Sequence, residues 1–283
     1  MTQDQTGVLY IVSTPIGNLK DITLRAIEVL KTVDFICAED TRHSSLLLSH
    51  YEVKTKVFSF HNYNETQKTN KILKKLSQGE SVALISDAGT PLISDPGYFL
   101  VKEAKLNNIK VVPVPGASAL IAALSVSGLP TDSFIFEGFL SAKSKQRQDK
   151  LSCLLNETKT TIFYESPHRI LDSLIDMQKV LGGEREIVIA REITKVFETI
   201  KDGSIDEIIE FVKADANQQK GEFVVLIKGT AVNQDATDEK IISILNLLLQ
   251  DLPVKKAAEI TAKITGARKN HVYSEALKIK GQG

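Results

Sequence analysis

The chain has 283 residues, close to two domains of average size, and is 42% hydrophobic and 25% charged, the composition of a folded globular protein able to bury sizeable cores. Lys+Arg and Asp+Glu both total 35, a formal net charge of zero, which excludes a uniformly basic nucleic-acid coat while leaving room for a local basic patch. There is no apolar run long enough for a transmembrane helix and no signal-peptide pattern at residues 1–7. The two cysteines, Cys37 and Cys153, cannot make a disulfide framework or a metal site alone. A cytoplasmic location, with no membrane partner, is the expectation.

Taken in chain order, short apolar runs occupy residues 8–13, 34–38, 56–60, 81–86, 110–114, 134–138, 161–164, 186–190, 197–201 and 223–227. Several are unbroken Val/Ile/Leu/Phe stretches, as expected of strands covered on both faces. Helical patterns lie between them. Residues 21–30 place Leu24, Ile27 and Leu30 on one stripe, with Asp21 as N-cap. Asp95-Pro96 and Ser166-Pro167 each read as a cap followed by proline at the first helical position. The alternation predicts an α/β protein. The punctuation Pro113-Val114-Pro115-Gly116 separates residues 1–114 from 115–231, and a polar stretch leads to a third, helical segment at 238–283. There Ile241, Ile242, Leu245, Leu248 and Leu249 share a face, Pro253 breaks the run, and two further helical patterns flank Gly266 with a helix–turn–helix cadence.

Several chemistries are missing. No GxGxxG follows the first strand, and there is no P-loop, HExxH or GxSxG; the five histidines show no ligand spacing, so no metal is expected. Three loops at strand ends are instead rich in Gly and Pro: residues 13–18, 86–97 and 113–119. In open α/β sheets, ligands bind beyond the carboxyl ends of the strands. Glycines there let backbone approach a ligand, and prolines fix loop shape. Three such loops, with Asp87 in the middle one, predict a binding site.

The segments Tyr10-Ile-Val-Ser-Thr-Pro-Ile-Gly-Asn-Leu19, Ala38-Glu-Asp-Thr-Arg42, Ser86-Asp-Ala-Gly-Thr-Pro91 with Ile93-Ser-Asp-Pro-Gly97, Pro115-Gly-Ala-Ser-Ala119 and Phe163-Tyr-Glu-Ser-Pro-His-Arg169 resemble the tetrapyrrole (class III) methylase superfamily. The second and last of them resemble its ribosomal RNA small subunit methyltransferase I branch. The resemblance implies two α/β domains with a cleft between them, a small C-terminal helical domain, and S-adenosyl-L-methionine bound in the cleft. It implies methyl transfer to the ribose 2′-hydroxyl of cytidine 1402 in 16S rRNA of the small ribosomal subunit, by a homodimer, with no DNA partner.

Carried over residue by residue, the resemblance places Asp87, Gly89, Thr90, Pro91 and Ile93 at the methionine end of the cofactor, followed by Ser118 and Ala119. Phe163, Tyr164, Ala190, Arg191 and Glu192 line the adenine side, and Pro15 and Ile16 close the pocket. Polar residues expected near the cleft include Glu39, His43 and the groups assigned roles here. Asp40, Glu165 and His168 are ranked first for handling a proton or orienting substrate. Arg42, His61, Arg169 and Lys195 are candidates for substrate contacts, Arg42 and Arg169 toward phosphate. The general base stays unassigned. Positive charge for an RNA partner is concentrated in residues 141–150 (Lys143, Lys145, Arg147, Lys150) and 251–283. Two alternatives stay open: a methylase of a tetrapyrrole or other small molecule, and a non-catalytic ribosome-binding factor.

Overall fold

The computed structural model describes residues 6–61, 65–231 and 234–281. The first sheet contains β1 (Val8–Val12), β2 (Phe35–Ala38), β3 (Lys56–Ser59), β4 (Val82–Ile85) and β5 (Lys110–Val114). It is wholly parallel, in the order β3-β2-β4-β1-β5. Helices α1 (Leu24–Thr32) and α2 (Thr41–His50) supply Ala26, Leu30 and Leu48 to the core on one face. On the other, α3 (Glu65–Ser77) and α4 (Tyr98–Leu106) supply Ile72, Leu76 and Leu100. Coverage of both faces is why β2 and β4 read as unbroken apolar runs: every residue of each is buried. Pro113 is tolerated because β5 is an edge strand. From β1 the chain crosses β4 to reach β2, whereas from β4 it crosses β1 to reach β5. The reversal puts the switch point between β1 and β4.

The second sheet contains β6 (Phe134–Phe139), β7 (Thr160–Glu165), β8 (Glu186–Arg191), β9 (Thr199–Ser204) and β10 (Phe223–Ile227), ordered β6-β7-β10-β8-β9. Only β6 and β7 are parallel; the other pairs are antiparallel. Helix α5 (Ala119–Val126) packs on one face. Helices α6 (Ser144–Ser152), α7 (Ile170–Leu181) and α8 (Ile205–Ala214) cover the other.

Helix starts differ from the sequence expectation. Residues 19–21 form a 3-10 turn, so Asp21 does not cap α1. Thr23 does, its Oγ1 accepting from the Ala26 amide at 3.1 Å. The buried stripe is then Ala26 and Leu30, and Leu24 is 80% exposed. Asp95-Pro96 does not start α4. Gly97 is the N-cap at φ 128°, and Glu65 Oε1 accepts from the Gly97 and Phe99 amides at 3.2 and 3.0 Å. A side chain from α3 thus does the capping work. Ser166-Pro167 enters a turn, and α7 begins only at Ile170. Strand β9 starts later than the run at 197–201, leaving Val196 and Phe197 exposed ahead of it. Arg191 explains the delay, since its guanidinium holds the Phe197 carbonyl at 3.0 Å.

Residues from Gly229 onward form a separate compact unit of α9 (Gln234–Leu248), α10 (Val254–Thr265) and α11 (Lys269–Gly281). Its own core joins Ile241, Leu245, Ala257, Ala258, Val272 and Ala276. Ile242, expected on the same face, is 37% exposed. Gly266 ends α10 in the left-handed conformation (φ 72°), which a glycine adopts without steric cost. Among the described residues no helix is long and apolar enough to cross a membrane.

Candidate active site

The loops leaving β1 and β4 meet at the switch point of the first sheet. Thr14 donates its amide to the Gly89 carbonyl at 2.8 Å, and Gly89 returns the bond at 3.0 Å. Gly89 is at φ +77°, and a Cβ on it would stand 3.3 Å from Ile16 Cγ2. Thr90 Oγ1 donates to the Ala117 carbonyl at 3.1 Å and is 2.9 Å from Ser13 Oγ. Gly116 lies so close to Ser13 that a Cβ would come within 2.8 Å of the Ser13 Cβ. The three glycine- and proline-rich loops are therefore laced into one wall.

That wall bounds a cavity of about 480 Å³ whose opposite side comes from the second sheet. Of the residues assigned to the cofactor, Ile16, Asp87, Gly89, Thr90, Ile93, Ser118, Ala119, Tyr164 and Ala190 line it. Pro15 lies instead on a neighbouring recess of about 320 Å³, which shares Ile16, Asp87, Ala88 and Glu222 with the cavity. Pro91 lines neither. Phe163 is fully buried in the core against α7 and α8. Side chains alternate along β7, so Phe163 and Tyr164 cannot both face the cavity. Arg191 is buried and donates to the carbonyls of Lys220 (2.6 Å) and Phe197 (3.0 Å). Glu192 pairs with Lys195 at 2.8 Å. Neither lines the cavity.

The proton-handling candidates are differently placed. Glu165 borders the cavity, but both its oxygens are occupied. Oε1 accepts from the Ser166 amide at 2.8 Å and pairs with Arg169 at 3.1 Å, while Oε2 accepts from Ser173 Oγ at 2.6 Å. Asp40 lies outside the cavity. Its side chain N-caps α2 by accepting from the Arg42 amide at 2.8 Å and also pairs with the Arg42 guanidinium. Those bonds hold its carboxyl below the usual range. His168 is exposed and does not line the cavity. Among the substrate candidates, Arg42 is exposed beside Asp40, Arg169 is engaged by Glu165, and His61 borders neither recess. Lys195 reaches the smaller recess, bridging Glu192 and Glu222 at 2.8 and 3.0 Å. From the basic segment 141–150, Arg147 is withdrawn into the interior at 4% exposure and cannot serve an RNA surface.

Two further acids face the cavity: Glu39, at the carboxyl end of β2, and Asp95, ahead of α4. Burial, with Asp95 and Asp87 nearby, pushes Glu39 up to about 7, although a bond from the Asp87 backbone pulls the other way. Burial likewise pushes Asp95 up to about 6, against a bond from Ser86 and with Asp87 adding to the rise. Among the described residues, no Lys, Arg or His side chain lines this cavity, whereas Glu39, Asp87, Asp95, Glu165 and Glu222 do. Arg169 and Lys195 neutralise the last two. The remaining carboxyls, beside the apolar surfaces of Ile16, Ile93, Phe139 and Tyr164, suit an organic cation with a flat apolar portion. Glu39 was legible as a polar residue near the cleft. Asp95 falls inside the 86–97 loop expected to form the site, although the sequence singled it out only as a helix cap, and Phe139 and Ile193 carried no sequence signal.

A parallel sheet joined to a mixed one around an acidic cavity at strand ends is the architecture of a methylase class. Residues 8–209 match the family model Tetrapyrrole (Corrin/Porphyrin) Methylases, and residues 235–280 match an RsmI C-terminal HTH domain. In structure the chain is similar to uroporphyrin-III-C-methyltransferase from Thermus thermophilus (TM-score 0.57, 17% identity, 81% of this chain and 97% of that one). It is also similar to diphthine synthase (TM-score 0.60, 14% identity, 81% and 92%). In sequence it is 53% identical over 276 residues, 97% of this chain and 98% of the other, to Ribosomal RNA small subunit methyltransferase I of Haemophilus influenzae. The protein of that name from Escherichia coli O157:H7 is 51% identical over 275 residues, 97% and 96% of the two chains. The chain belongs to the tetrapyrrole methylase family and, within it, to the ribosomal RNA small subunit methyltransferase I group.

Proposed function

We propose that this protein methylates ribosomal RNA of the small subunit, using S-adenosylmethionine to modify the ribose 2′-hydroxyl of cytidine 1402 in 16S rRNA. The observation that carries the reading is a cavity whose unneutralised acids suit a cationic donor, in a chain about half identical over nearly its whole length to proteins named for small-subunit rRNA methylation. The donor set fits: carboxyls for a sulfonium and an ammonium charge, apolar side chains for an adenine, and loop backbone at Gly89 and Ala119 for close approach.

When bound, the donor supplies an activated methyl group with its own leaving group, so the protein's work is chiefly alignment. The main chain of residues 87–93 and the start of α5 hold one end of the cavity, and Tyr164, Ala190 and Ile193 close the other against water. The smaller recess, bordered by His43 and Lys195, admits the target nucleotide. We assign RNA docking to the basic helical unit from Gly229 onward, divide the chain at 1–114, 115–231 and 238–283, and assign a cytoplasmic homodimer. Of the last segment, residues 282 and 283 lie outside the described residues.

The test is to incubate the protein with labelled S-adenosylmethionine and small subunits from a strain lacking the modification, then digest the RNA. Label in 2′-O-methylcytidine is the expected result. Label confined to small molecules would replace the reading with that of a small-molecule methylase, and subunit binding without label would make the protein a non-catalytic factor.

A further inference from the structure

We propose that the smaller recess holds the base of the target nucleotide and that the Ser44 hydroxyl bonds the polar edge of that base. The assignment deepens the methyl-transfer reading above and rests on it. Ser44 sits in the first turn of α2, is 3% exposed and borders this recess. Its Oγ is buried and has no hydrogen-bond partner among the described residues. No other described residue bordering either recess carries such an atom. The neighbouring polar groups are engaged. Thr14 Oγ1 donates to the Ser86 carbonyl at 3.3 Å, and Ser86 Oγ to the Ala88 carbonyl at 3.3 Å. Asp87 accepts the Asp40 amide at 3.0 Å, and Lys195 pairs with Glu222 at 3.0 Å. His43 is exposed to water. A hydroxyl sheltered from bulk water and left unpaired is the group that gains most from a ligand's polar atom, and it can donate or accept.

The position of Ser44 decides which part of a nucleotide it meets. The recess and the donor cavity share Ile16, Asp87, Ala88 and Glu222. The reacting ribose must lie along that shared wall for its hydroxyl to meet the methyl group. Ser44 borders the recess alone, so the group that reaches it lies beyond the ribose and is either the base or a phosphate. Charge and surface select the base. Lys195 answers two carboxylates, Glu192 and Glu222, and Asp87 borders the recess as a further acid, an environment unfavourable to a phosphate. Pro15, Leu19, Leu46 and Leu47 supply apolar walls. Apolar side chains cover the faces of an unpaired base while a polar group bonds its edge. Leu46 is 73% exposed, and a base seated beside it would cover part of that surface. The recess volume of about 320 Å³ is in the range of small-ligand pockets. A base reaches such a pocket only when swung out of its stack, the state in which single nucleotides are presented for chemistry.

The experiment uses the full-length protein, saturating labelled S-adenosylmethionine and unmodified small subunits at subsaturating concentration, so that the rate reports kcat/KM. Ser44→Ala is expected to lower it by about 3–10-fold, the loss of one neutral hydrogen bond. Its Tm is expected to equal or exceed that of wild type, because the change removes an unpaired buried hydroxyl and alanine favours the helix. Donor affinity by calorimetry is expected to stay the same, since Ser44 does not border the donor cavity. A serine with a merely structural role would lower Tm and rate together. Small subunits reconstituted with an abasic target nucleotide test the base itself: wild type is expected to methylate them slower by at least about tenfold. A Ser44→Ala rate within threefold of wild type, a Tm lowered by more than about 2 °C, or an abasic target methylated within threefold of the natural one overturns the assignment. Wild type that places no label in rRNA overturns the functional reading itself, a result distinct from a labelling wild type matched by Ser44→Ala.

Discussion

Arg147 and Asp176 form a buried ion pair that clamps α6 to α7. Arg147 Nε donates to Asp176 Oδ2 at 2.7 Å, and the other carboxylate oxygen accepts from Gln148 Nε2 at 2.7 Å and Ser144 Oγ at 3.0 Å. Burial raises the Asp176 carboxyl, but bonds from Gln148, Ser144 and Arg147 and the guanidinium charge outweigh it and leave it below the ordinary value. A carboxyl depressed in the folded state stabilises the fold above its unfolded value, and that contribution disappears as pH falls through the folded one. Asp176→Ala strands a buried guanidinium. It is expected to cost about 3–5 kcal/mol in urea unfolding at pH 7, and a loss under 1 kcal/mol would show that the clamp contributes little.

Gly89 is the second point of sensitivity. Any side chain there must adopt φ +77° beside Ile16, at a cost of about 1–2 kcal/mol. Gly89→Ala is expected to lower the calorimetric Tm by roughly 2–8 °C and to weaken S-adenosylmethionine binding, because the alanine distorts the Thr14–Gly89 link between the two loops. Unchanged donor affinity would place the binding wall elsewhere.

The raised Glu39 carboxyl has an opposite signature in stability. A group whose folded value exceeds its unfolded one favours folding in acid, and this contribution is lost as pH rises through the folded value, here from 4.5 through about 7. Glu39→Gln removes the buried charge. The variant is therefore expected to melt above wild type at pH 8 and to approach it near pH 4. A shift of equal size at both pH values would reveal a packing effect rather than titration.

The unit from Gly229 onward has its own core. Removing residues 229–283 is therefore expected to leave donor affinity within a few-fold of the full chain, while label transfer to small subunits falls at least tenfold. Calorimetry and subunit labelling measure the two separately. Full labelling by the truncated chain would refute RNA docking by the helical unit.

What could be read from the sequence divides along physical lines. Strands were legible because coverage on both faces demands runs such as residues 82–85 and 223–227, buried throughout. The start of α4 was not, because its cap comes from elsewhere in space: Glu65 of α3 supplies it, a relation no local pattern carries. Asp87, Thr90 and Ser118, which line the cavity, were expected there from the chemistry of the loops and the family resemblance. The sequence did not separate neighbours: Phe163 was paired with Tyr164, and Asp40 ranked above Glu39, where the pleat and a helix cap decide which side chain lines the cavity. Arg147 counted as surface charge in the sequence because its partner Asp176 is 29 residues away.

The position of β10 has a consequence for biosynthesis. The last of the described strands lies at the centre of the second sheet, hydrogen-bonded to both β7 and β8, whereas the described first sheet uses no strand beyond β5. During translation the amino-terminal half can therefore consolidate early, while β7 and β8 emerge as unpaired edges that must wait for residues 223–227 to leave the exit tunnel. Nascent chains stalled before that point are the ones that would need chaperone protection.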